Sequence, residues 1–258
     1  MKCYVVDAFA EKCFAGNPAA VLILDQPISE KLMQNIAMEN NLSETAFAVK
    51  TGGAYHLRWF TPGGEINLCG HATLATAYVL ANFYAKEDEF RFDTLSGRLT
   101  VTKEGDMFEL DFPAIATREY AITDDVAAAL GANPLEAFIG RDPVFIFGSE
   151  EEVRELSPDF SKLLAFPDGL GVFVTSKSER YDFVTRAFWP KMGVNEDPVC
   201  GAMYCSLTPI WAKRLGKTTL VARQLSKRGG TVYTQDCGDR VKIKGPAVLY
   251  SIAELQIG

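Results

Sequence analysis

The 258-residue chain lacks several motifs, and each absence narrows its chemistry. It has no complete Gly-x-x-x-x-Gly-Lys-Ser/Thr phosphate loop and no glycine-rich dinucleotide fingerprint, since Gly169-Leu170-Gly171 lacks the third glycine. Only two histidines, His56 and His71, are present, and no Cys-x-x-Cys pair accompanies them, which argues against a zinc site. A tightly bound metal or coenzyme is therefore not expected. The opening Met1-Lys2-Cys3-Tyr4-Val5 lacks the apolar stretch of a secretory signal, and six scattered cysteines read as reduced thiols in a cytoplasm. The uncharged run Ile66 to Ala85 is interrupted by Asn67, Gly70, His71 and Asn82, so it reads as a buried helix rather than a membrane span. A formal charge of −7 gives no broad attraction for nucleic acid or anionic lipid.

What the chain does have is alternation. Phe108, Leu110 and Phe112 share one face of a strand while Glu109 and Asp111 share the other, and Arg240-Val241-Lys242-Ile243-Lys244 repeats the pattern. Further strands are expected at 2–7, 20–24, 45–50, 54–60, 89–94, 97–103, 143–147, 171–176, 182–188, 218–225 and 247–256. Helices are few. Ser29 caps one that ends near Asn40-Asn41, and Thr123 caps another that stops at Gly131. Segments 70–84 and 201–215 are apolar nearly all round and must be buried on every side, with Pro209 kinking the second. An α+β chain that wraps a sheet around one central helix, twice, satisfies both patterns. The expected domains are 1–114, joined by a returning 247–258, and 115–246.

Cys69-Gly70-His71-Ala72 and Cys200-Gly201-Ala202-Met203 open those two segments about half a chain apart. A cysteine at a helix start meets unpaired N–H groups and the positive end of the dipole, which favour a thiolate or a bound anion. A buried cysteine can equally be a small hydrophobe, and only the matched placement favours chemistry. His71 falls in the first turn, within reach of a ligand held there, whereas His56 lies in an alternating strand and reads as structural. Glu44 stands at the junction of a polar loop and a strand. Asp197 lies just upstream of Cys200, where a carboxylate is also favoured by the dipole alone.

Six stretches taken together resemble the phenazine biosynthesis PhzF-like family. They are Val6-Asp7-Ala8-Phe9, Phe14-Ala15-Gly16-Asn17-Pro18, Asn41-Leu42-Ser43-Glu44-Thr45, Arg58-Trp59-Phe60-Thr61-Pro62, Glu65 to Thr73 and Glu196-Asp197-Pro198-Val199-Cys200-Gly201. The resemblance implies a diaminopimelate epimerase-like fold of two pseudo-symmetric β-barrel-like domains, each around a central helix, with the active site between them. It implies cofactor-free proton transfer, in a homodimer, on a small carboxylate-bearing molecule. Glu44 matches the family's acid/base. Asn17, Gly70, His71, Asp197, Gly201 and Ala202 fall at positions around the substrate. Where the family often has Gly-Ser-Ala-His, this chain has Gly201-Ala202-Met203-Tyr204, without the hydroxyl and the imidazole.

Three functions are consistent with these residues. The first is a cofactor-independent isomerase with Glu44 as acid/base. The second is a two-thiol racemase or epimerase in which Cys69 and Cys200 alternate as base and acid. The third, motivated by Ala202-Met203-Tyr204, is a non-catalytic small-molecule-binding or interaction protein.

Overall fold

The computed structural model describes residues 1–257. The first part of the chain contains β1 (Lys2–Ala8), β2 (Asn17–Leu24), α1 (Glu30–Asn40), β3 (Glu44–Thr51), β4 (Ala54–Thr61), β5 (Gly64–Ile66), α2 (Gly70–Phe83), β6 (Glu89–Thr94), β7 (Gly97–Glu104) and β8 (Met107–Pro113). There follow β9 (Arg118–Glu119), α3 (Asp124–Leu130), β10 (Glu136–Ile139), β11 (Pro143–Ile146), α4 (Glu150–Glu155), α5 (Phe160–Leu164), β12 (Val172–Lys177) and β13 (Phe183–Phe188). A short 3-10 turn at Pro190–Met192 precedes α6 (Tyr204–Leu215), β14 (Thr219–Gln224), β15 (Gly230–Asp236) and β16 (Arg240–Glu254). The chain divides into two compact units: Met1–Asp111 with Ile243–Gly258, and Phe112–Lys242. Both boundaries fall inside strands, β8 and β16, a few residues before the 114/115 and 246/247 expected from the proline-containing connection.

In the first unit the strands run β1-β2-β3-β4-β6-β7-β8-β16 and return to β1, a closed eight-stranded barrel. Closure is made by the antiparallel pair β1–β16, from Lys2 opposite Glu254 to Ala8 opposite Ala247, with a register shift between Val5 and Val6. Inside lies α2, which has no polar face to offer water: Ala72, Leu74, Ala75, Ala77, Val79 and Leu80 are all fully buried. Burying each leucine or valine stabilises the fold by roughly 1.5–3 kcal/mol, so the helix and barrel each supply the apolar surface the other needs. The amphipathic α1 packs outside on β3 and β4 through Met33, Ile36 and Ala37. The Ser29 hydroxyl accepts from Leu32 N and caps its start, while Asn41 ends it in the left-handed conformation at φ 48°.

In the second unit a curled sheet runs β15-β14-β13-β12-β11-β10-β9. Helix α6 packs on β14 and β15. Trp211 of α6 stacks on Phe183 of β13, ring centres 5.5 Å apart. The opposite face of β13 presents Val184 to a core formed with Val126, Leu130, Val153 and Leu163 of α3, α4 and α5. Both faces of this sheet are thus covered, which is why β11, β12 and β13 are buried along nearly their whole length rather than at alternate residues.

Two expectations need correction. The second charge-free segment does not enter helix at Gly201: residues 201–203 form a turn, with Tyr204 N donating to Gly201 O and Cys205 N to Ala202 O, and α6 starts at Tyr204. Pro209 lies within α6, and the Cys205 carbonyl that lacks its usual helical donor accepts from Ile115 N at 2.9 Å instead. The strands expected at 240–244 and 247–256 are one continuous β16, which passes through Gly245-Pro246. No helix among the described residues is long and apolar enough to cross a membrane.

Candidate active site

The first unit gathers Asn17, Glu44, Cys69, Gly70 and His71 from three elements. Asn17 opens β2, and the preceding Gly16 adopts φ +66°, where an added Cβ would lie 2.1 Å from the Ala8 carbonyl oxygen; glycine is required there. Glu44 opens β3 immediately after the turn that ends α1, and sits opposite Ala19 in the parallel pair β2–β3. Cys69 is the N-cap of α2, with Gly70 and His71 as its first two helical residues.

These placements converge on the His71 ring. Its Nε2 lies 2.8 Å from Glu44 Oε2, and its Nδ1 lies 3.2 Å from Asn17 Nδ2. With the amide nitrogen facing Nδ1, Asn17 donates, and the ring proton sits on Nε2 facing Glu44; turning the amide over would serve the doubly protonated ring. Burial opposes charge on His71, but the adjoining Cys69 and Glu44 groups outweigh it, and the net effect holds its pKa well above the usual imidazole value. His71 and Cys69 are buried, while the Glu44 side chain keeps 15% of its surface exposed and is the member of the cluster that solvent or a ligand can reach.

Both thiols are held protonated. Burial, with the Glu44 charge adding to it, pushes Cys69 up to about 11 despite the opposing influence of His71. Burial and then the Asp197 charge raise Cys200 well above a normal thiol. The helix start therefore does not produce the lowered thiol pKa expected from sequence; desolvation outweighs the dipole.

Glu44, Cys69 and His71 also place one ligand atom each within 4.8 Å of one another, near enough to share a cation. Cys69 Sγ lies 3.5 Å from Nδ1 and 3.9 Å from Nε2, alongside the ring rather than on the line of either nitrogen lone pair. A cation would have to displace the existing Glu44–His71 pairing.

The second unit holds Asp197, Cys200, Gly201 and Ala202 differently, through backbone. The Cys200 N–H donates to Gln224 Oε1 at 2.8 Å, and Gln224 Nε2 donates to the Asp197 carbonyl at 2.6 Å. Ser226 Oγ donates to the Pro198 carbonyl at 2.6 Å and Asp197 N to the Ala187 carbonyl at 2.9 Å. Gly201 is buried and Ala202 half-buried in the turn that follows. Tyr204, where the family often has histidine, is fully buried against Phe183, and its hydroxyl has no hydrogen-bond partner among the described residues. His56 is exposed on β4, as a structural residue on an outer face can be.

Gln224 was missed from sequence, yet a signal exists. In β14 the alternation Leu220, Ala222, Gln224 faces inward, so the last residue is an amide in a position that calls for an apolar side chain.

The family model for phenazine biosynthesis-like protein matches residues 6–253. The chain belongs to that family. Within it, an uncharacterized isomerase of Pseudomonas aeruginosa is 47% identical over 258 residues, covering 98% of each chain. The crystal structure of a PhzF family phenazine biosynthesis protein from Enterococcus faecalis superposes with a TM-score of 0.98 at 50% identity, covering 99% of both chains. The fold extends further: a probable proline racemase from Agrobacterium radiobacter has a TM-score of 0.64 at 10% identity, covering 100% of this chain and 93% of that one. This places the family in the epimerase-like fold expected from sequence.

Proposed function

We propose that this chain is a cofactor-independent isomerase that removes and returns a proton on a small carboxylate-bearing metabolite, with Glu44 as acid/base. The observation that carries the reading is the Glu44–His71 pair, 2.8 Å apart, with a partly exposed carboxylate beside the first turn of a buried helix. A relative of 47% identity named as an isomerase supports the same class of reaction.

Each residue then has a task. Cys69 supplies no capping hydrogen bond to α2, so first-turn N–H groups of this helix are available to a substrate carboxylate or to the enolate that forms as the C–H bond ionises. Glu44 takes the proton from carbon and delivers it to a second position. The buried imidazole, steadied by Asn17, orients the carboxylate and offsets its charge before the first transfer and after the second; between them the carboxyl is neutral and the negative charge lies on the enolate. Asp197, Gly201 and Ala202 form part of the substrate surface, on a backbone fixed by Gln224. The reading includes a homodimer acting in the cytoplasm on a small molecule.

A two-thiol racemase needs one resting thiolate, and burial of both Cys69 and Cys200 disfavours it. The test is deuterium incorporation at carbon when candidate amino and hydroxy acids are incubated with the protein in deuterated water. Exchange is expected with at least one acid and should fall by on the order of a hundredfold or more in Glu44→Gln, which preserves shape but cannot titrate. Binding without exchange would return the chain to the non-catalytic class. Retained exchange in Glu44→Gln, with loss in both Cys69→Ser and Cys200→Ser, would establish the thiol mechanism instead.

A further inference from the structure

Behind the Gln224 strut, the second unit has a cavity of about 270 Å³ whose lining is unlike the rest of this acidic chain. Arg154, Arg180, Arg223, Lys227 and Arg228 line it, with Glu150 as the one acidic residue in the wall. Glu150 is already committed: it pairs with Arg154 and accepts from Ser178 Oγ at 2.7 Å. Neither Arg180, Arg223 nor Lys227 has a carboxylate within ion-pair distance among the described residues. Arg180 rests on the Tyr181 ring, 5.4 Å from its centre, and Arg223 Nη1 donates to Thr231 Oγ1 at 3.2 Å. Collecting like charges around one cavity costs Coulomb energy that a protein with net charge −7 has ample carboxylates to relieve; Arg180, Arg223 and Lys227 are nonetheless left without one.

The wall is also built with care. The β14–β15 loop passes through Gly229 at φ +65°, where an added Cβ would meet Arg223 Nη2 at 2.6 Å, so glycine gives the guanidinium room to lie across the loop. Gly229 N donates to Ser226 Oγ at 3.0 Å, and Ser226 in turn donates to the Pro198 carbonyl, which fixes the loop against the segment leading to Cys200. On the other side the backbone N–H groups of Arg180 and Tyr181 both donate to Ser178 Oγ at 3.2 Å, which positions Arg180 at the rim.

We infer that this cavity binds the diphosphate or phosphate group of a small anionic ligand, held by Arg180, Arg223 and Lys227. Guanidinium forks match phosphoryl oxygens in pairs, and several uncompensated cations suit a multiply charged group better than a single carboxylate. The volume admits a small molecule, and the chain's overall negative charge disfavours a long nucleic-acid backbone. The inference stands apart from the proton-transfer chemistry assigned to Glu44.

The test is calorimetric titration of the full chain with inorganic pyrophosphate, with a nucleoside diphosphate, citrate and a single-stranded oligonucleotide as further arms. One pyrophosphate per chain is expected, with affinity falling as salt is raised. Arg180 and Lys227 are both exposed, so Arg180→Ala/Lys227→Ala should keep the thermal midpoint of the parent while weakening binding at least tenfold. Tighter binding of the nucleoside diphosphate than of pyrophosphate would identify an ester as the ligand, and equal binding the free anion. No saturable heat with millimolar pyrophosphate, unchanged affinity in the double variant, or tighter binding of citrate or the oligonucleotide would overturn the inference.

Discussion

The same Cys-Gly pair occurs in both units and is put to different use in each. Around Cys69 the neighbours are ionisable side chains, Glu44 and His71, brought in by the first residue of a strand and the first turn of a helix. Around Cys200 the neighbours are backbone groups, tied through Gln224, Ser226 and Ala187, and the helix begins only after an intervening turn. One copy is set among titratable side chains and the other among ties that hold a loop in shape. A local sequence repeat thus does not specify function; what the facing strand presents, a carboxylate from β3 or an amide from β14, decides it.

The sharpest way to break this contrast is substitution of the facing residue. Glu44→Gln should cost on the order of a hundredfold or more in turnover with little change in denaturation midpoint, whereas Gln224→Leu should lower stability by about 1–3 kcal/mol, because the Cys200 N–H and Asp197 carbonyl lose their partner. Urea titration of both variants beside a turnover assay measures the two effects separately. Gln224→Glu is expected to fall between parent and Gln224→Leu in stability, since a carboxylate still accepts from Cys200 but cannot donate to Asp197.

Next in size is Gly16→Ala. A left-handed φ and a 2.1 Å approach to Ala8 O predict a loss of roughly 2 kcal/mol or more, and the displaced Asn17 should lower turnover as well. Thermal melts and kinetics on one preparation would show whether both fall together.

The last effect is seen only as pH is varied. Cys69, at about 11 in the native state, keeps a proton that an unfolded thiol of model value 9.0 gives up, so its contribution to stability is present below pH 9 and is lost between 9 and 11. His71 acts in the same direction from a lower starting point: its contribution is complete below about pH 6.5 and disappears as pH rises through its higher native value. Denaturation midpoints from pH 6 to 11 should therefore decline, and Cys69→Ser should flatten the alkaline part of the curve.

Much of this was legible in the sequence, for identifiable reasons. The α1 and α3 boundaries followed from Ser29 and Thr123 as caps and from Asn41 and Gly131 as left-handed stops, because caps are local chemistry. Glu44, His71 and Asn17 were placed at the site by family resemblance, and the structure brings these three together. Four strands, β5, β9, β10 and β15, were not anticipated. In β15 the inward positions are Val232 and Thr234 while Tyr233 points outward, so the alternation is chemically weak. The early helix start at Gly201 was wrong because absence of charge marks burial, and a buried turn satisfies it as well as a helix does. Gln224 depended on knowing that its strand paired beside the Asp197 segment, a long-range fact that no local pattern contains.

The β1–β16 pair has a consequence for how the chain is made. The second unit is a continuous stretch of sequence, but the first places Lys2 opposite Glu254. On the ribosome the later-synthesised unit can complete its core first, while the barrel begun by β1 must wait, one strand short, until β16 emerges. During that interval β1 is an unpaired edge, the kind of surface that recruits other strands. Refolding from denaturant removes this enforced order, so nascent and refolding chains face different hazards although they arrive at the same barrel.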